Sequence, residues 1–250
     1  MQFREYGADR REVVMLLHGG GLSWWNYREA ASLLAHDYHV ILPILDGHAG
    51  CDRPFTSIED NAEEILAYID GQCGGSVLLL GGLSLGGQVL LEMLARRSDL
   101  CRFALVESAA VIPSKLTHAL IAPAFGSSYG LIRNRRFAKM QFRFLRIRDD
   151  YFEEYYRDTC RIAKEDMIAF MRANTAYVLK DSIRNTQAEV HVIFGERETR
   201  EIRRSAEMIA QTIPACTLHR LPGMHHGEFS LNRPDAYAER IRQITGGETL

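Results

Sequence analysis

The chain has 250 residues, 46% of them hydrophobic, with 30 basic residues against 32 acidic ones and a formal net charge of −2. That length and apolar fraction suit one domain with a sizeable core and argue against both a second independent domain and a disordered chain. The near-neutral balance excludes a global field that would recruit nucleic acid or an anionic membrane, so partners must be sought in local features.

Five cysteines, at positions 51, 73, 101, 160 and 216, are scattered, odd in number and without C-x-x-C spacing. That pattern argues against a disulfide framework or a zinc site and suits a reducing compartment. Charge appears within four residues of Met1, leaving no room for a signal peptide, so the chain is expected to be untargeted and cytoplasmic. Only 76–94 is long enough to suggest a membrane span, and it carries Gln88, Glu92 and four glycines. No stable membrane insertion is expected.

Short apolar runs alternate with segments of helical period, the pattern of β-α units around a parallel sheet buried on both faces. The first predicted strand is Val13–Leu17, followed by His18-Gly19-Gly20-Gly21. Successive glycines leave backbone N–H groups uncovered by side chains. A strand at 39–42 precedes the run Asp46 to Gly50, D-G-H-A-G. Ser57-x-x-Asp60 reads as a capped helix start, with Ala62, Ile65, Leu66 and Ile69 on one face of the helix that follows.

The next strand, 77–80, feeds straight into Gly82-Leu83-Ser84-Leu85-Gly86, behind which Val89, Leu90, Met93 and Leu94 recur at helical spacing. This is the layout of a nucleophile elbow, in which a strained turn lifts the serine hydroxyl above the sheet. The pattern occurs twice. Gly126-Ser127-Ser128-Tyr129-Gly130 also fits, but Pro123 argues against a strand there, and that copy is expected to be a loop turn.

After a strand at 103–106 the alternation stops. Between about Val111 and Gln187 no strand is predicted and apolar residues keep helical spacing, so 1–110 and 188–250 are expected to form the core and 111–187 a helical cap over the carboxyl ends of the sheet. Alternation resumes with strands at 190–194 and 217–221, and Tyr237, Ile241 and Ile244 mark the last helix.

A serine hydroxyl is a poor nucleophile near neutral pH and needs a base, a group to orient that base, and donors for a developing oxyanion. Gly20, with Gly21 as second choice, is the candidate donor that would pair with the N–H of Leu85. Leu221-Pro222-Gly223-Met224-His225-His226-Gly227 supplies two loop histidines, suited to the base by a pKa near about 6.5. Gly195-Glu196-Arg197-Glu198 offers two carboxylates. A glycine turn, a solvated histidine and glutamates favourable to a helix start are the bland readings of the same residues.

The order Ser, acid, His, with H-G-G-G ahead and G-L-S-L-G-G in the elbow, resembles the α/β-hydrolase superfamily over nearly the whole chain. The resemblance implies an α/β fold with a mostly parallel central sheet flanked by helices and an inserted helical cap. It also implies a Ser84–His226–Glu198 triad, since relatives place the acid and the histidine three residues after the glycines at 195 and 223. Relatives more often carry Asp than Glu at the acid position, and some place the acid one strand earlier, where Glu107 stands. With so few residues ahead of Val13, a trimmed sheet edge is expected.

Such a site would form an acyl-enzyme on Ser84 and hydrolyse a small ester, thioester or lactone, as a carboxylesterase does, without metal or cofactor. Cofactor-free C–C lyases and ligand-sensing proteins of the same fold are the alternatives, with a catalytically dead scaffold behind them. The lyase reading would use cap arginines to grip a carboxylated substrate. Gly21 and Trp24, with Trp25 beside it, are candidates for the substrate pocket; packing beneath the loop is the alternative for the tryptophans. Between 131 and 148 the chain carries Arg133, Arg135, Arg136, Lys139, Arg143, Arg146 and Arg148 without one acid. That basic segment, interleaved with aromatic and aliphatic residues, could receive an acyl carrier or a lipid surface, or be a solvated face neutralised by Asp149, Asp150, Glu153 and Glu154.

Overall fold

The apolar runs of the sequence are strands, largely buried except for the last, Cys216–Leu221, which lies at the sheet edge and is partly exposed. The computed structural model describes residues 1–246. In it β1 (Gln2–Tyr6), β2 (Val13–Leu17), β3 (His39–Ile44), β4 (Val77–Leu83), β5 (Cys101–Glu107), β6 (Glu189–Gly195) and β7 (Cys216–Leu221) form one sheet in the order β1-β3-β2-β4-β5-β6-β7. All neighbours are parallel except β1, which runs antiparallel to β3. Alternation assigns the sides: Met15 and Leu17 pack into one apolar cluster, Val14 and Leu16 into the other. On the first side lie α2 (Ile58–Gln72), α3 (Leu85–Arg96) and α8 (Arg200–Thr212), on the second α1 (Arg28–Leu34) and α10 (Pro234–Thr245). The cap of α2 forms as expected, Ser57 Oγ accepting the Asp60 N–H at 2.9 Å.

Strand β1 was not expected. Its residues Q-F-R-E-Y lack an apolar run because an antiparallel edge strand need bury little. Phe3 nevertheless stacks on Tyr68, with centroids 3.7 Å apart.

The strand order reverses direction around β2, which sits between β3 and β4. Ligands in open α/β sheets bind outside the carboxyl ends of strands at such a point. The glycine run leaves β2 there and Ser84 leaves β4 beside it, so the topology alone brings the two motifs together.

Between β5 and β6 the described residues contain no strand. This segment comprises α4 (Lys115–Ser128), α5 (Arg135–Phe144), α6 (Phe152–Thr159) and α7 (Lys164–Ala176), with short 3-10 turns between. The second G-x-S-x-G is therefore not a loop turn: it runs from the end of α4 into a 3-10 turn, and Ser128 Oγ donates back to the Ala124 carbonyl at 2.6 Å. Pro123 rules out a central strand but not a helix. Ile121 and Phe125, four residues apart, put one face of α4 inward.

Candidate functional site

Ser84 occupies a backbone conformation that L-residues rarely adopt, with φ 52° and ψ −111°. Two backbone bonds hold it there. Its N–H donates to the Glu107 carbonyl at 2.8 Å, and its own carbonyl accepts the Gln88 N–H at 3.0 Å, starting α3. Gly86 is obligatory because a Cβ there would collide with the Leu17 carbonyl oxygen. The turn thus locks strand, helix and the end of β2 together, with the hydroxyl outside the sheet edge.

The glycine run after β2 is pinned by two buried histidines. His18 Nδ1 bonds the Gly19 carbonyl at 2.9 Å, and its Nε2 accepts the Leu45 N–H at 3.1 Å. His48 Nδ1 bonds the Asp46 carbonyl at 3.0 Å, and its Nε2 accepts the Gly21 N–H at 3.0 Å. Burial pushes both rings down, to about 3 and about 4, so each stays neutral with one donor and one acceptor nitrogen. With the Gly21 N–H engaged by His48, Gly20 is left as the donor of the loop. A Cβ on Gly20 would touch Leu85 Cδ2 at 3.5 Å, so this loop lies against the first residue of α3, whose own N–H has no partner within the helix.

The acid turn and the histidine loop meet at Gly195, where a Cβ would collide with the Met224 carbonyl oxygen. His226 Nδ1 is 2.9 Å from Glu198 Oε2. The other carboxylate oxygen, Oε1, accepts the Ser108 hydroxyl at 2.6 Å and the Gly195 N–H at 2.9 Å. Against the cost of burial, these bonds and the His226 ring hold the Glu198 carboxyl below its ordinary value. Ser84 and His226 line the same cavity; among the described residues no hydrogen bond joins them directly. Such contacts commonly tighten only when substrate is bound.

The other carboxylates are engaged elsewhere. Glu196 is exposed and pairs with Arg220 at 2.5 Å and the Gly223 N–H at 2.9 Å. His225 donates its backbone N–H to Glu228 at 2.6 Å. Glu107, wholly buried, accepts the Ser230 N–H at 3.3 Å and sits among Tyr27, Tyr237 and Ser230, whose buried hydroxyls lack well-formed bonds.

Burial pushes the Glu107 carboxyl from 4.5 up to about 7. Between those values the folded chain binds more protons than the unfolded chain, so this group makes stability fall as pH rises through that window. Glu107→Gln cannot ionise, and its stability relative to the parent is expected to grow by about 3 kcal/mol between about pH 4 and about pH 8. Thermal unfolding of both proteins across that range checks the sign; a gap that stays constant or shrinks would refute it.

The cavity holds about 250 Å³ and reaches from Ser84 and Gly20 up to the helices between β5 and β6. Leu22, Ile132, Ile147, Met167 and Phe170 make its walls apolar, with Gln141 and Thr159 among its few polar side chains. None of the arginines between β5 and β6 lines it. Gly21 does; Trp24 does not. The 3-10 turn Trp24–Tyr27 points its successive side chains in different directions, so Trp25 is fully buried with its indole N–H on Asp158 at 3.0 Å. Trp24 instead lies under the Arg4 guanidinium of β1, 5.8 Å from its centroid. Sequence reasoning overlooked Ser108, although it adjoins Glu107 in V-E-S, and gave no role to His48 within D-G-H-A-G. Each acts through a partner on a different strand-end loop, which no local pattern reveals. Among the described residues no three His, Cys, Asp or Glu side chains converge as a metal-ligand set, and no helix is long and apolar enough to cross a membrane.

A family model described as "Alpha/beta hydrolase family" matches residues 14–240. No curated protein matches the chain by sequence. Among solved structures, the chain is similar to a thermophilic esterase from Thermogutta terrifontis, at 18% identity and a TM-score of 0.79, covering 97% of this chain and 91% of that one. It is similar to an enol-lactonase from Burkholderia xenovorans, at 17% identity and 0.81, covering 98% and 96%. A meta-cleavage product hydrolase from Pseudomonas fluorescens aligns at 18% identity and 0.76, covering 98% and 93%. At these identities the likeness is one of fold.

Proposed function

The chain belongs to the alpha/beta hydrolase family, and from that premise we propose that it is a serine hydrolase cleaving a small, uncharged ester, thioester or lactone. The observation that carries the reading is the His226–Glu198 pair, 2.9 Å apart, on the same cavity as a serine held at φ 52°. Ser84 Oγ attacks the acyl carbon while His226 Nε2 takes its proton, and Glu198 holds the ring with its proton on Nδ1. The N–H groups of Gly20 and Leu85 receive the negative charge that develops on the carbonyl oxygen. His226 then protonates the leaving alcohol, thiol or ring oxygen, and in the second half it activates the water that releases the acid.

The cavity supports the choice of an uncharged substrate. A carboxylate on the acyl chain would leave water for walls that carry no lysine or arginine, at a cost of at least about 3 kcal/mol, or roughly a hundredfold in kcat/KM. The p-nitrophenyl ester of butyrate is therefore expected to be hydrolysed with a kcat/KM about a hundredfold above that of the p-nitrophenyl half-ester of succinate. Equal or reversed rates would favour the lyase reading, which needs a carboxylated substrate.

A further inference from the structure

Helix α5 presents three different faces. Ala138 and Phe142 are buried in the cap, while Gln141 and Leu145, just beyond the helix end, line the cavity. The third face is solvent. It carries Arg136, Met140, Arg143 and Phe144, which with Arg146 border a surface groove. Phe144 is 79% exposed and Met140 49%. A soluble monomer gains nothing from leaving such side chains together in water.

The charges on this face are largely uncompensated. Acids do neutralise part of the basic segment: downstream, Arg135 pairs with Glu153, Lys139 with Asp149 at 3.8 Å and Arg148 with Asp150, and Glu29 of α1 also pairs with Arg148. Arg133, Arg136, Arg143 and Arg146 are exposed and meet no carboxylate within ion-pair range among the described residues. Arg146 moreover adopts φ 55°, a conformation that long side chains rarely take. Asn232 holds it there, donating to the Arg146 carbonyl at 2.6 Å and accepting the Arg148 N–H at 3.1 Å. The face is thus built onto the core through α9 (Glu228–Asn232), not left to a loose loop.

We propose that this face docks the protein peripherally on an anionic lipid surface, with the arginines on headgroup phosphates and Phe144 and Met140 in the acyl boundary. Charge complementarity selects the occupant: Arg136, Arg143 and Arg146, unpaired around exposed apolar side chains, match a surface that is negative outside and apolar beneath. Leu145 adjoins Phe144 in sequence and lines the cavity, so docking would set the wall of that cavity against the bilayer. The proposal does not rest on the hydrolase reading.

Sedimentation with vesicles of phosphatidylcholine alone, or with about a third phosphatidylglycerol, tests it on the full chain. Binding is expected only with the anionic lipid, and its loss at about 1 M salt, where charges more than about 3 Å apart are screened. The double variant R136Q/R143Q should partition about thirtyfold less, at about fivefold per arginine, and F144S should weaken binding while keeping its salt dependence. Both variants should keep the parent's circular dichroism spectrum and thermal unfolding midpoint, which reports that they fold. The Ser84→Ala protein should bind vesicles as the parent does, so a failed hydrolase reading would leave this result intact. Equal binding to both vesicles, unchanged partition of the variants, or capture of an acidic carrier protein in place of vesicles would overturn the proposal.

Discussion

Replacing Ser84 by alanine is expected to lower kcat for p-nitrophenyl butyrate by roughly four to six orders of magnitude and to abolish labelling by a fluorophosphonate probe. The loss should fall almost wholly on kcat, because in the proposed mechanism the hydroxyl is the attacking atom and little of the binding surface changes. Ser84→Gly should be equally inactive and, unlike the alanine variant, more stable by about 1 kcal/mol, since φ 52° is a region glycine enters without steric cost. Active-site titration and thermal unfolding of the two variants separate these effects. Retained turnover in Ser84→Ala would remove the nucleophile from the mechanism, and an unchanged melting temperature in Ser84→Gly would remove the argument from backbone strain.

Glu198→Gln is expected to lower kcat by about 10⁴, for a reason visible in its hydrogen bonds. Ser108 and Gly195 both donate to Oε1, so in glutamine the carbonyl oxygen would be drawn to that position. The amide nitrogen would then face His226 Nδ1 as a donor. The ring would be stabilised with its proton on Nε2, the wrong tautomer to accept one from Ser84. Glu196→Gln should change kcat by less than about threefold, as that side chain is exposed and bound to Arg220. Glu107→Gln should also keep most of the activity, because its carboxyl is turned to the Ser230 N–H and not to the histidine. Steady-state kinetics of the three variants decide the matter, and a Glu107→Gln loss exceeding that of Glu198→Gln would move the third member of the proposed triad.

Much of the architecture was legible because strands buried on both faces need continuous apolar runs, and such runs are local. Strand β1 escaped because an edge strand has no such requirement. The second G-x-S-x-G reads as a loop turn in sequence and is a helix end in the structure: Pro123 excludes a strand, and only packing between β5 and β6 decided between loop and helix. Trp24 and Trp25 could not be told apart in sequence. Their fates follow from Asp158 and Arg4, which the fold brings in from α6 and from β1.

Local sequence carries the inventory and its order: a serine in a turn only glycines permit, a glycine run after a strand, carboxylates and histidines at later strand ends. Those features are legible because each depends on neighbours a few residues away. Tertiary structure brings Glu198, the carboxylate the resemblance implied, onto His226, and alone decided which glycine N–H His48 leaves free and that the arginines between β5 and β6 stay out of the cavity. Every one of these is a contact, or the lack of one, between segments distant in the chain. Hydrogen bonds that must form within about 3 Å are set by how the strand-end loops converge, which residue spacing does not encode.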